Sequence, residues 1–354
     1  MINRIQLLKK SLEKNQLDGY MAADENNMFY LTGFEGAARL LVPADNEGVL
    51  YVYGVNYENA KTSVKSCSVE LMQRGEDLNK KVAGQCRKLR LKRVGFDGLD
   101  VGGFLALKKN LKNIKLEAKT QIVWDMRKVK DKTELRLIRK TAELTDVGAR
   151  AAVEVIKPGM REYEVAAEVE YAMRKLGSEG TAFDTIVASG LKSAYPHGGC
   201  TGKKIKRGEL IQFDIGTRYQ HYCADLTRTF LVGKPSPKQQ KMYKVVMEAH
   251  EKAFQKIRDG VRAKQVDAAA RNVIKKHGFG ECFVHGLGHG VGLAVHELPM
   301  LNTVSKDVLK AGNVVTDEPG IYIVGYGGVR IEDTVLVKKD GAERLTKAPH
   351  DLVV

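Results

Sequence analysis

Apolar positions in the first 125 residues switch between helical and strand spacing. Ile5, Leu8 and Leu12 fall on one face of an opening helix, Asp18-Gly19 ends it, and the run Tyr20 to Ala23 follows as a strand. Leu40 to Val42, Val49 to Tyr53 and Arg93 to Phe96 predict further strands, with a helix over Leu78 to Leu89 between the last two. The pattern predicts a small α/β domain over residues 1–125, without a metal-ligand cluster or a phosphate loop. From Asp125 to Lys132 the chain turns polar and charged, so residues 126–132 are expected to be a linker.

Beyond it the pattern repeats. A long helix from Thr133 to Ile156 ends at Pro158-Gly159, and a second helix runs to Leu176-Gly177. A comparable pair starts at Ser236-Pro237, with Ser236 as N-cap and Gln239 closing a capping box, and ends at His277-Gly278. At a shift of 101, Gly159, Arg161, Val165, Ala167 and Gly177 fall on Gly260, Arg262, Val266, Ala268 and Gly278. Strands follow in each half: Asp214 falls on Glu318 at a shift of 104, and Asp225-Leu226-Thr227 on Glu332-Asp333-Thr334 at a shift of 107. A duplicated unit of this kind packs its strands in a sheet backed by helices and brings two carboxylates from each half to a pseudo-two-fold axis.

Composition narrows the class. With 354 residues, 43% of them hydrophobic and only 8 Pro, the chain is neither disordered nor collagen-like, and its length suits two domains. No apolar run is long enough to span a membrane, and the first residues lack the features of a signal peptide, so no export is expected. Five cysteines without a CxxC pair fit reduced thiols and a cytoplasmic location. The net charge of +15 invites a nucleic-acid reading, but residues 1–125 carry 20 basic and 15 acidic side chains and the remainder 38 and 28. The excess is evenly spread, and the short clusters Arg87 to Arg93 and Lys203 to Arg207 read as solvated faces, so no nucleic-acid partner is expected.

The acidic minority is more informative. Asp214 follows Leu210-Ile211-Gln212-Phe213 and Glu318 follows Val314-Val315-Thr316-Asp317, contexts that bury the side chain. Burying four carboxylates together is costly unless cations compensate. Between them lies a glycine-rich run holding His285, His289 and His296, too flexible for an amphipathic helix, which presents its histidines from a strand or loop. Four carboxylates and an imidazole suit two divalent ions, which would activate water and polarise the carbonyl of an amide.

Together these residues resemble the pita-bread metallopeptidase family, which includes methionine aminopeptidase, aminopeptidase P and prolidase. The resemblance rests on Asp214 and Asp225 eleven positions apart, His289 in HGLGHGVGL, Glu318 in EPGIY and Glu332 in GVRIED. It implies an α+β pita-bread catalytic domain over 133–354, preceded by a smaller creatinase-like domain over 1–125 in which Tyr30 to Phe34 match. It also implies that Asp214 binds one metal, His289 and Glu318 the other, and Asp225 and Glu332 both. Glu318 would in addition accept the proton of the attacking water. His197 in SAYPHGG and His296 in AVHELP resemble the histidines that hold the substrate and the tetrahedral intermediate, and Arg330 the arginine beside the bridging glutamate. Manganese is the first expectation for the ions, with cobalt, zinc and iron suited to the same ligands, and a homodimer is expected because the relatives form one. The N-terminal domain and the intact ligand set set the chain apart from methionine aminopeptidases and from non-catalytic binding proteins on this fold. Two positions depart from the family. Asp317 replaces an apolar residue, and strand alternation turns it away from the metals. Met300 stands where many microbial prolidases carry an arginine that grips a dipeptide's carboxylate. The second departure orders the expectations: release of an N-terminal residue preceding proline, as by aminopeptidase P, ahead of Xaa-Pro dipeptidase action.

Overall fold

The computed structural model describes residues 3–353, so residues 1, 2 and 354, at the outer ends of the two expected domains, lie outside the description. The chain divides into two compact units, Met1–Arg127 and Lys128–Val354. The helix Thr120–Lys128 runs into the stretch expected as a linker, and the helix Lys132–Val155 begins at its last residue, capped by Asp131 and Glu134. No helix among the described residues is long and apolar enough to cross a membrane.

In the first unit, β1 (Gly19–Ala22), β2 (Arg39–Pro43), β3 (Val49–Tyr53), β4 (Ser68–Met72), β5 (Arg93–Phe96) and β6 (Lys115–Ala118) form one sheet in the order β4-β3-β2-β1-β5-β6. β1 pairs with β2, and β2 with β3, antiparallel, whereas β3/β4, β1/β5 and β5/β6 are parallel and need helical crossovers. β1 and β2 are buried along their whole length, the reason that their sequences read as continuous apolar runs. The opening helix, Arg4–Lys14, buries Ile5, Leu8 and Leu12, each worth about 2 kcal/mol of apolar burial.

The second unit contains the duplication as structure. Helices Lys132–Val155 and Glu162–Lys175 in one half correspond to Pro237–Lys256 and Ala263–Lys276 in the other. Arg161 and Arg262 both start their helices, each with its backbone N–H donating to the side chain three residues on, Glu164 or Gln265. Gly159 donates to the Ile205 carbonyl at 2.8 Å and Gly260 to the Leu309 carbonyl at 2.9 Å, so the repeat extends to the turn hydrogen bonds. In the first half β7 (Gly180–Thr181) and β8 (Ile186–Ser189) both pair with β9 (Leu210–Tyr219), which forms a long antiparallel hairpin with β10 (Tyr222–Leu231). The second half has β11 (Gly288–Gly290), β12 (Glu297–Leu301), β13 (Val314–Asp317), β14 (Gly320–Ile323), β15 (Gly327–Arg330), β16 (Asp333–Lys338) and β17 (Gly341–Arg344). Its main sheet runs β12-β11-β13-β16-β17, and β14 and β15 form a separate hairpin.

Each half packs its helices on its strands in its own core. Ala149, Ala152, Val165 and Val169 meet Phe213 and Phe230 in one, and Val246, Ala249, Val266 and Ala270 meet Val315 and Val335 in the other. The halves join where β10 runs beside the start of β16. Thr334 Oγ1 accepts from the Asp225 N–H at 3.0 Å and donates to the Asp225 carbonyl at 2.7 Å, and the Glu332 N–H donates to the Thr227 carbonyl at 3.0 Å.

Candidate metal centre

Four carboxylates converge at this junction of the halves. Asp214 sits in the middle of β9 and Asp225 on the neighbouring β10, where Thr227 lies opposite Asp214 and Asp225 opposite Gly216. Glu318 follows β13 directly and Glu332 lies between β15 and β16. Asp214, Asp225 and Glu332 are buried, and the Glu318 side chain retains a small opening to solvent.

His289 comes to them from β11, whose flanking glycines are a steric requirement. A Cβ on Gly288 would strike the Thr316 carbonyl of the neighbouring strand, and one on Gly290 the Leu298 carbonyl on the other side. His289 Nδ1 hydrogen-bonds the Gly290 carbonyl at 3.0 Å, which fixes the ring and aims Nε2 at the carboxylates. Nε2 lies 3.3 Å from Glu318 Oε1 and 3.8 Å from Asp225 Oδ2. One oxygen each of Asp225 and Glu332 and one nitrogen of His289 fall within 4.8 Å of one another.

Without cations the site holds its charge awkwardly. Burial, then the neighbouring Asp214, pushes the Asp225 carboxyl well above the usual carboxylate range; burial, then Asp225, does the same to Glu332. Burial also raises Asp214, against the attraction of Arg330. Glu318 and His289 instead form an ion pair. Although burial opposes both, their hydrogen bond and mutual attraction lower Glu318 to about 2 and raise His289 to about 9. Asp214 Oδ1, Asp225 Oδ1 and Glu332 Oε1 are buried without a hydrogen-bond partner among the described residues. Orphaned, mutually repelling oxygens around an imidazole nitrogen are the donor set that hard and borderline divalent ions take, so the residues fit a metal pair.

A second layer of side chains orients the first. Thr227 Oγ1 donates to Glu332 Oε2 at 2.6 Å, and Thr316 Oγ1 to Glu318 Oε1 at 3.0 Å. Arg330 bonds the Asp214 carboxylate directly and reaches Glu332 only through Thr227, whose hydroxyl accepts from Arg330 Nε at 3.0 Å. Its direct carboxylate contact is therefore Asp214, with Glu332 one hydroxyl away. Arg330 Nη1 also donates to the Tyr322 hydroxyl at 2.9 Å, and that hydroxyl lies 2.9 Å from His285 Nε2. Thr227, Thr316 and Tyr322 are not singled out in the sequence, although Thr227 and Thr334 occupy matched positions of the repeat, a signal that points to Thr227.

His296 stands at the exposed rim with its ring 4.2 Å from that of His289, and burial followed by the charge of His289 lowers its pKa. His197 is exposed. Asp317 turns away from the carboxylates, towards His250, and Met300 lies exposed on β12.

Comparison with known proteins finds relatives along the whole chain. Residues 136–339 match Metallopeptidase family M24, and residues 4–129 match the Creatinase/Prolidase N-terminal domain. A Pyrococcus horikoshii protein named Xaa-Pro dipeptidase is 41% identical over 355 residues, which cover 100% of this chain and 99% of that one. The structure of an Xaa-Pro dipeptidase from Bacillus anthracis superposes with a TM-score of 0.95 at 34% identity, covering 99% of both chains. That of an X-Pro aminopeptidase from Thermotoga maritima does so with a TM-score of 0.87 at 35% identity, covering 98% of this chain and 100% of that one.

Proposed function

The chain belongs to metallopeptidase family M24, with a creatinase/prolidase N-terminal domain ahead of the peptidase domain, and on that premise we propose that it cleaves Xaa-Pro dipeptides. The observation that carries the reading is the set of buried carboxylate oxygens without partners around His289, in a chain similar end to end to proteins named Xaa-Pro dipeptidase. Those names reverse the order that Met300 suggested: dipeptidase action comes first and aminopeptidase P-like release second.

In this reading Asp214, Asp225, His289, Glu318 and Glu332 hold two divalent ions, manganese before cobalt, zinc or iron. The bound pair supplies an acidified water and polarises the scissile carbonyl. Glu318, its Oε1 held by the Thr316 hydroxyl, accepts the proton of the attacking water and passes it to the proline nitrogen as the amide bond breaks. His296, neutral at the rim, and His197 donate to the substrate and to the oxygen that becomes negative in the tetrahedral state. Arg330 fixes Asp214, and through Thr227 it fixes Glu332, so both halves present their carboxylates in one geometry. The five cysteines are unpaired, in keeping with a cytoplasmic home, and a homodimer is the proposed assembly.

The test is a comparison of Gly-Pro with Xaa-Pro-Xaa tripeptides under Mn²⁺ and Co²⁺. Turnover of the dipeptide with little of the tripeptide is expected. Efficient release of the first residue from tripeptides, with Gly-Pro left intact, would restore the aminopeptidase order.

A further inference from the structure

A second cluster of metal-binding side chains lies next to the first in sequence but faces the other way. Asp317 precedes Glu318 and Asp333 follows Glu332, and the two aspartates sit opposite one another across β13 and β16. Strand alternation turns them from the carboxylate centre towards the helix Pro237–Lys256, which contributes His250. His250 Nε2 lies 3.4 Å from Asp333 Oδ2 and 3.8 Å from Asp317 Oδ2. His350, near the end of the chain, sets its Nε2 3.2 Å from the same Asp333 oxygen. One donor atom each of His250, Asp333 and His350 fall within 4.8 Å of one another.

A tetrahedral ion with bonds of about 2.0–2.1 Å holds neighbouring donor atoms roughly 3.3 Å apart, so the spacings at Asp333 Oδ2 are those of a metal site as well as of hydrogen bonds. What separates the two is the state of the buried atoms. His250 and Asp317 are fully buried, yet both ring nitrogens of His250 and both oxygens of Asp317 find no hydrogen-bond partner among the described residues. Asp333 is already oriented: its Oδ1 accepts from Arg228 at 2.8 Å and from Thr346 at 2.9 Å, which leaves Oδ2 turned to the imidazoles. Two guanidinium groups also meet this aspartate: Arg228 at Oδ1, and Arg344, which lies 3.3 Å from Oδ2 and pairs with Glu251 at 2.6 Å. His350 keeps 28% of its side chain exposed and gives an ion a way in.

We propose that His250, His350 and Asp333 form a cation site separate from the carboxylate centre, for a divalent transition ion of the zinc type. Metal content after equilibration with Zn²⁺ and the visible absorption with Co²⁺ test it, on the full chain and on His350→Ala and His250→Ala. Tetrahedral cobalt absorbs far more strongly than the five- or six-coordinate ion of a carboxylate centre, so the two sites read out separately. The expected result is that each variant binds about one equivalent less than the parent chain and loses the intense cobalt bands. Equal metal content and identical cobalt spectra in parent and His350→Ala overturn the proposal and leave the carboxylate centre untouched. The part-exposed His350 decides the outcome by itself if His250→Ala fails to fold.

Discussion

Asp225 and Glu332 are equivalent residues of the repeat, and each is forced towards its neutral form by burial and then by the carboxylate beside it. Asp225→Asn and Glu332→Gln therefore keep the shape and remove a charge that only a cation can use. We expect each to lower peptide turnover by at least about 100-fold, while the circular dichroism spectrum is unchanged and the unfolding free energy of the metal-free protein stays within about 1 kcal/mol of the parent. Near-parental turnover in either would refute the assigned role. The same raised pKa values set a pH dependence. A carboxyl raised in the folded state contributes stability at acid pH that is lost as pH rises through its folded pKa, because the unfolded chain ionises first. The metal-free protein should thus lose stability from acid towards neutral pH, and the rise in Tm on adding Mn²⁺ should be larger at about pH 8 than at about pH 5. A metal-induced shift that shrinks with pH would count against the protonated pair. The four candidate carboxylates were legible in the sequence because paired carboxylates in apolar strands are conspicuous, whereas His289 stood out from His285 and His296 only through the family resemblance. Thr227, Thr316 and Tyr322 were not, since a threonine in a strand has good reason to be there without any site.

The element that constrains the site most is β11, three residues long and squeezed between β12 and β13. Gly290→Ala places a methyl group against the Leu298 carbonyl, and backbone cannot yield as a flexible side chain does. The expected cost is about 1–3 kcal/mol in denaturant unfolding, together with weaker metal binding because His289 moves with its strand. Unchanged stability and metal affinity would show that the strand has room that its spacing denies. The helices of the second unit were readable from their caps, as at Ser236 and Gln239, whose reciprocal hydrogen bonds are present. In the first unit the short helices Glu25–Thr32, Gly54–Ser63 and Val101–Asn110 were not read from the sequence. Gly54–Ser63 buries only Ala60 and Val101–Asn110 only Leu107, so neither carries an apolar stripe. The strand Lys115–Ala118 escaped for the same reason, as none of its four residues is buried.

At the scale of the whole molecule, the duplication explains both the architecture and the chemistry. Each half builds its own core and exposes two carboxylates at its edge, and only their apposition creates a site. That logic was visible as spacing in the sequence because glycines such as Gly159 and Gly260 hold positive φ at matched turns and so resist substitution. The +15 charge had no such positional signature, and the acidic side chains it outnumbers carry the proposed function. The proposed peptidase activity depends on two ions held by those carboxylates. Its most direct test is stepwise return of Mn²⁺ to chelator-stripped protein while Gly-Pro hydrolysis is followed. Activity should be absent at first and rise to a plateau once about two equivalents occupy the carboxylate centre, even if His250 and His350 take up a further ion. Full turnover in the stripped protein under excess chelator, or none at any metal loading, would contradict it.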